Sequence, residues 1–288
     1  MRFLRFGDEN RPVVLLIHGF GITWRMWEPV IRALSEEHCV LVAVLDGMDE
    51  DRTSEFVSVR KASEEMIREV QERDGGRLFV LVGSSLGGTI AMDILAGGGL
   101  QIDRVLIDGA PLCAHHPLYV RSAVAFSQWR SRRIVRGNRF ILNLIGRAVT
   151  PDNHREIVRA AGIMSDRTMD RVMTSAFSYS LPDTVSPGDT RVAYWYGSAE
   201  KKMLIRSIEE IRRVLPQVRI REFPGYGHGE LCLHHPDVFV RELRCFLKDE
   251  PCPPAGAGSQ EEERKSTWIS GQSPSPQNWN RNGPRILQ

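Results

Sequence analysis

Runs of aliphatic residues alternate along this chain with stretches in which apolar positions recur every three or four residues. The runs at Val13–Ile17, 39–45, 78–82, 104–107, 191–196 and 218–223 are short and mostly continuous, without strict alternation of apolar and polar positions. That is the pattern of strands covered on both faces, as in a parallel sheet. Between them, Trp27, Val30, Ile31 and Leu34 share one helical face, as do Val59, Ala62, Met66 and Val70, and later Leu204, Ile208, Ile211 and Leu215. A last helix is predicted to open at Pro236, a favoured first-turn residue, and to run through Val240, Leu243 and Leu247. Alternation of this kind predicts an α/β fold, a mostly parallel central sheet with helices on both faces.

Two stretches break the rhythm. About eighty residues separate the strand ending near Asp108 from the one starting near Arg191, far more than a crossover needs. Helical patterns over about 118–135, 138–149 and 166–180 fill the gap. They predict a helical cap inserted at about 110–188 into a domain spanning 1–250. The second break is 251–288, rich in Pro, Gly, Ser and Asn and poor in aliphatics, a composition that predicts a disordered tail. Its two tryptophans, Trp268 and Trp279, carry no catalytic pattern.

Composition narrows the partners. A net charge of +2, with 26% charged and 42% hydrophobic residues, is ordinary for a soluble globular protein and gives no reason to expect nucleic acid. The first residues lack the apolar stretch of a secretion signal, and Val13–Ile17 is far too short for a membrane span of about 20 residues. The 5 cysteines, at 39, 113, 232, 245 and 252, show neither a disulfide framework nor a zinc-ligand spacing. His115-His116 and His234-His235 are adjacent pairs, and neighbours in sequence rarely point at one metal. The expectation is a cytoplasmic protein with reduced thiols, no metal, no cofactor and no integral membrane segment. The sequence leaves its oligomeric state open.

Chemistry concentrates at the ends of the predicted strands. Gly83-Ser84-Ser85-Leu86-Gly87-Gly88 follows the third run and leads into a helical pattern. Small residues around a serine at a strand-to-helix turn let its hydroxyl project from the sheet edge, which makes Ser85 a candidate nucleophile. The Leu86 amide, at a helix N-terminus, is aimed at any anion formed beside it. A serine hydroxyl needs a base, and His228, between Gly227 and Gly229 after the last strand, is the best candidate. Three carboxylates compete to orient it: Glu200 after the fifth strand, Asp108 at the end of the fourth, and Asp46 after the second. Phe20, flanked by Gly19 and Gly21 after the first strand, offers a second oxyanion amide, while His18 ties that loop down. No Gly-Lys-Ser/Thr and no Gly-x-Gly-x-x-Gly opens a helix, so a phosphate-binding reading of these glycines fails.

The order His18-Gly-Phe-Gly21, Gly83 to Gly88, Gly197-Ser-Ala-Glu200 and Gly227-His228-Gly229 resembles the α/β-hydrolase superfamily, serine hydrolases with an inserted cap. The resemblance covers about residues 3–249. It implies a Ser–acid–His triad of Ser85, Glu200 and His228, with Phe20 and Leu86 at the oxyanion hole. Two positions depart from the family's habit: its acid is commonly aspartate, and Asp46-Gly47-Met48 stands where many members carry a histidine third. The implied function is cofactor-independent hydrolysis of a carboxylic ester of a small-molecule acyl substrate. Acyl transfer, cleavage of a carbon–carbon bond beside a ketone, and ligand binding without catalysis are the alternatives.

The cap carries its own signal. No acidic residue occurs from Gly109 to Pro151, while Arg121, Arg130, Arg132, Arg133, Arg136, Arg139 and Arg147 all do, with Phe126 and Trp129 among them. A basic, aromatic lid would attract acidic or amphiphilic esters or anionic lipid; the alternative is a solvated helix face paired with acids elsewhere. Trp24 and Met26, just beyond the oxyanion loop, are candidates with Trp129 to line an acyl pocket.

Overall fold

In the computed structural model, which describes residues 1–147, 149–252 and 285–286, the aliphatic runs join one sheet. Its strands are β1 (Arg2–Phe6), β2 (Val13–Ile17), β3 (Cys39–Val44), β4 (Arg77–Ser84), β5 (Gln101–Asp108), β6 (Arg191–Gly197), β7 (Arg219–Phe223) and a two-residue β8 (Arg285–Ile286). They lie in the order β7-β6-β5-β4-β2-β3-β1-β8. From β2 to β7 every pairing is parallel, and β1 runs antiparallel to β3 and to β8. The register sets Ile17 against Ala43 and Gly83, Ser84 against Asp108, and Asp108 against Trp195. The carboxyl ends that carry the candidate residues therefore share one edge, the usual crevice of an open parallel sheet.

Both faces of the sheet are covered. Leu15, Ile17, Leu41, Leu81 and Ile107 pack against α2 (Val59–Asp74), α3 (Leu86–Gly97) and α8 (Lys201–Val214). Val14, Leu16, Val42, Val82 and Leu106 pack against α1 (Glu28–Leu34) and α10 (Pro236–Lys248). Successive residues thus feed opposite cores, which is why the strands read as unbroken aliphatic runs.

Strand β1 escapes the hydrophobic pattern because two of its five residues are arginines. Both are buried. Arg2 holds Asp49 through two bonds of 2.7 and 2.5 Å, and Arg5 holds Asp74 through two of 2.8 and 2.7 Å. Bidentate pairing of this kind satisfies the guanidinium inside the protein and lets a charged residue occupy a strand core position.

Four helices lie between β5 and β6: α4 (Pro117–Val135), α5 (Arg139–Gly146), α6 (Pro151–Ile163) and α7 (Asp166–Phe177). The sequence predicts three of them. Helix α6 is hidden because the face it buries consists of Asn153, Glu156, Ala160 and Ala161, which form no apolar stripe. Those polar residues are ties: Thr23 Oγ1 donates to Glu156 at 2.5 Å, and Asn153 donates to the Leu233 carbonyl at 2.6 Å. Met169, Val172 and Ala176 of α7 insert into the main core. Among the described residues no helix is long and apolar enough to cross a membrane. Most of the predicted tail, both tryptophans included, lies outside the described residues.

The junction between β2 and α3 has no room for a side chain. A Cβ on Gly87 would fall 2.2 Å from the Ile17 carbonyl oxygen. Gly87→Ala should therefore destabilise the fold by about 3 kcal/mol or more, read as a lowered urea midpoint. Unchanged stability would mean that this contact does not constrain the junction.

Candidate active site

Strand β4 passes into α3 through Ser85, whose backbone sits at φ 53°, ψ −115°. A non-glycine residue there is strained by about 1–3 kcal/mol and persists only where its surroundings dictate the conformation. Here the Ser85 N–H donates to the Asp108 carbonyl at 2.7 Å, and the Ser85 carbonyl accepts from Gly88 and Thr89. From Val80 to Leu95 every residue is buried except Ser85. The turn thus delivers one hydroxyl out of an otherwise closed strand–helix unit.

His228, in the loop between β7 and the short helix α9 (Glu230–His234), faces that hydroxyl. Its Nε2 lies 3.0 Å from Ser85 Oγ, and its Nδ1 lies 2.5 Å from Glu200 Oε2. A carboxylate can only accept, so Nδ1 carries the proton and Nε2 is left to accept from serine. Glu200 ends a one-turn 3-10 helix, Ser198–Glu200, directly after β6, and its other oxygen accepts the Gly197 N–H at 2.8 Å. The carboxylate is buried, with a bond at each oxygen. This curl back onto its own strand end accommodates the extra methylene of glutamate. Clearance comes from Gly109, at φ 60°, where a Cβ would stand 3.2 Å from Glu200 Oε2 and 3.3 Å from His228 Nδ1.

Burial pulls the His228 pKa down, but the bond to Glu200 and its charge, with a smaller contribution from Asp108, outweigh burial and leave it raised. Asp108 is pushed up to about 6, first by burial and then by the negative charge of Glu200, against the Ser84 and Cys232 hydrogen bonds. It does not bond His228; its Oδ2 accepts from Ser84 Oγ at 3.0 Å and from Cys232 Sγ at 3.6 Å. Asp46, the third candidate, pairs with the Met1 ammonium at 3.0 Å. Of the three carboxylates, Glu200 alone bonds the imidazole among the described residues. Ser84 and Cys232 belong to this cluster without any sequence signal, because only the β4–β5 register and the packing of α9 bring them to Asp108.

The loop after β2 runs beside the serine: a Cβ on Gly19 would lie 3.5 Å from Ser85 Cβ. Phe20 is half-buried against the core, and Leu86 opens α3, where its N–H has no intrahelical acceptor. His18 is fully buried and bridges two backbones, with Nδ1 2.9 Å from the Gly19 oxygen and Nε2 accepting from the Leu45 N–H at 3.2 Å. Burial drives its pKa down to about 4, so it is a neutral brace.

The residues expected to line an acyl pocket take other partners. Met26 is buried in the core beneath α1, Trp24 packs at a tilt against Phe6 with Arg25 over its ring, and Trp129 stacks on Phe126 on the exposed side of α4. Adjacent histidines do converge in one place, where ligand atoms of Glu230, His234 and His235 lie within 4.8 Å of one another. There Glu230 Oε2 already accepts the Gly227 N–H at 2.7 Å, which braces the loop of His228.

The alpha/beta hydrolase family model matches residues 14–242. Among solved structures, an alpha/beta hydrolase family protein from Desulfitobacterium hafniense is 22% identical with a TM-score of 0.67, over 85% of this chain and 99% of that one. Carboxylesterase CesB from Bacillus subtilis is 18% identical with a TM-score of 0.62, over 86% and 88%. Esterase RhEst1 from Rhodococcus sp. ECU1013 is 18% identical with a TM-score of 0.63, over 86% and 94%. At such identities the likeness establishes the fold. No curated protein matches the chain.

The raised pKa of Asp108 has a consequence for stability. The folded state holds this proton more tightly than the unfolded chain, so stability is lost as pH rises from about 4, an ordinary aspartate value, to about 6. Asp108→Asn, which cannot ionise, should gain roughly 1–3 kcal/mol on the parent at pH 8 and almost nothing at pH 4, by urea unfolding. An equal effect at both pH values would refute the assignment of a strained charge to Asp108.

Proposed function

The chain belongs to the alpha/beta hydrolase family, and from that premise we propose that it is a cofactor-independent serine hydrolase cleaving a carboxylic ester through an acyl-enzyme. The observation that carries the reading is the unbroken line Ser85 Oγ, His228 Nε2, His228 Nδ1, Glu200 Oε2, Gly197 N–H. Along it, His228 takes the serine proton as Oγ attacks the acyl carbon. Glu200 fixes the ring and its tautomer and stabilises the imidazolium that forms. The Leu86 and Phe20 amides receive the oxyanion, a contribution of about 2.7–4 kcal/mol per donor in comparable sites. The imidazolium then protonates the departing alcohol. Water, deprotonated by the same ring, attacks the acyl-serine and releases the acid.

His228 works as a base only when neutral. Because its pKa is raised, kcat/KM should fall as pH drops through a midpoint above the ordinary histidine value of about 6.5. Glu200→Gln removes the groups that raise it, so the acid limb should move to lower pH while turnover falls about 10²–10⁴-fold with folding intact. Asp108→Asn should cost far less. If Asp108→Asn proved the more damaging of the two, Glu200 would not be the orienting acid.

Ser85→Ala should abolish both nitrophenyl ester hydrolysis and labelling by a fluorophosphonate. A folded parent protein that takes no label, and binds the same ligand as Ser85→Ala, would instead be a binding protein on this fold.

A further inference from the structure

Of the seven arginines in the acid-free stretch of the cap, one differs from the rest. Arg121, Arg132, Arg133, Arg136, Arg139 and Arg147 are exposed. Arg132 pairs with Asp166, and Arg133 lies over the Trp129 ring. Arg130 sits three residues from Ser127 and four from Ile134, on the flank of the face that α4 buries through Val120, Ser127, Ser131 and Ile134. Helical register therefore turns it inward.

Its guanidinium rests on the loop that runs beside the candidate nucleophile. A Cβ on Gly21 would meet Arg130 Nη2 at 3.4 Å, and Gly21 follows Phe20, whose amide is a proposed oxyanion donor. Among the described residues Arg130 has neither a hydrogen bond nor an ion pair. Loss of water alone pulls its pKa down, with no carboxylate to offset the loss. The buried acid of the cap among the described residues, Glu156, is engaged by Thr23 and by Arg159. Arg130 keeps part of its surface in solvent, and an arginine partly withdrawn from water without a counter-charge gains when a ligand anion takes the place of the lost water. Guanidinium is also the side chain best matched to a carboxylate, through paired N–H donors.

We propose that Arg130 is the specificity-determining residue of this site and receives a carboxylate on the acyl substrate, so that the preferred substrates are half-esters of dicarboxylic acids. The proposal rests on the serine hydrolase reading for turnover but not for binding. The remaining cap arginines, being solvated or paired, add only a diffuse attraction.

The test compares 4-nitrophenyl butyrate with the mono-4-nitrophenyl esters of succinic, glutaric and adipic acids. Arg130→Gln should lower kcat/KM at least about tenfold for the best half-ester, mainly through KM, while butyrate changes by less than about twofold. Arg130→Lys should recover part of the loss. Equal losses on neutral and anionic esters would overturn the proposal, as would a parent enzyme that does not favour any half-ester over butyrate. Calorimetry with succinate, glutarate and adipate on Ser85→Ala and on the Ser85→Ala, Arg130→Gln pair separates this result from the fate of the hydrolase reading. Should no ester be cleaved, at least about tenfold weaker binding of one dicarboxylate to the pair still supports an anion site at Arg130. Absent or unchanged binding removes it.

Discussion

Backbone meets backbone where the Ile17 carbonyl stands against Gly87, and the site depends on that contact. It locks the end of β2 to the first turn of α3, and Gly83 makes the same kind of approach to Gly87 from the end of β4. With three main-chain segments touching, the residue between β4 and α3 has no relaxed conformation available, and Ser85 is held at positive φ. The strain is supported by the buried strand–helix unit on either side of Ser85. Gly19 lies beside Ser85 in the same junction, so the serine turn and the loop after β2 are positioned together.

The remaining groups arrive on longer levers, and electrostatics decides how they settle. Two buried carboxylates, Glu200 and Asp108, lie close to one half-exposed imidazole, and both acids cannot ionise there at equal cost. Glu200 has two donors, the Gly197 N–H and the imidazole. Asp108 has only a serine hydroxyl and a thiol, so the penalty falls on it. The imidazole in turn gains from both negative charges. The geometry thus joins Glu200 to His228 and leaves Asp108 bonded to Ser84 and Cys232 instead.

How much of this was legible in the sequence follows from what each feature needs. Strands β2 to β6 were legible because burial on both faces writes them as apolar runs, whereas β7, at the sheet edge and mostly unburied, shows only alternation of apolar and charged residues. β1 was not, since its arginines are solved by partners far along the chain, Asp49 and Asp74. Helix α6 was hidden for the opposite reason: its buried face is small and polar. Ser85, His228, Phe20 and Leu86 could be ranked by strand-end position alone. The choice among Glu200, Asp108 and Asp46 could not, since all three follow strands, and only the bond from Glu200 to His228, set by its curl onto Gly197, separates them in geometry. Trp24 and Met26 follow the loop after β2, and their packing partners, in the core beneath α1 and on β1, are not encoded in spacing. The cap's arginines read as one basic surface until helical register set Arg130 apart.

Two helices between β5 and β6 touch the loop after β2, α6 through the Glu156 carboxylate on Thr23 and α4 through the Arg130 guanidinium near Gly21. The first contact is a satisfied buried hydrogen bond and anchors the loop whether or not a ligand is present. The second is a partly exposed charge with no protein partner among the described residues, so its energy depends on what binds beside it. An anion bound at Arg130 would strengthen the hold of α4 on the loop that presents the Phe20 amide. Recognition of the distal carboxylate and stabilisation of the oxyanion would then draw on the same few residues, and binding energy gained far from the ester bond would be available where charge develops.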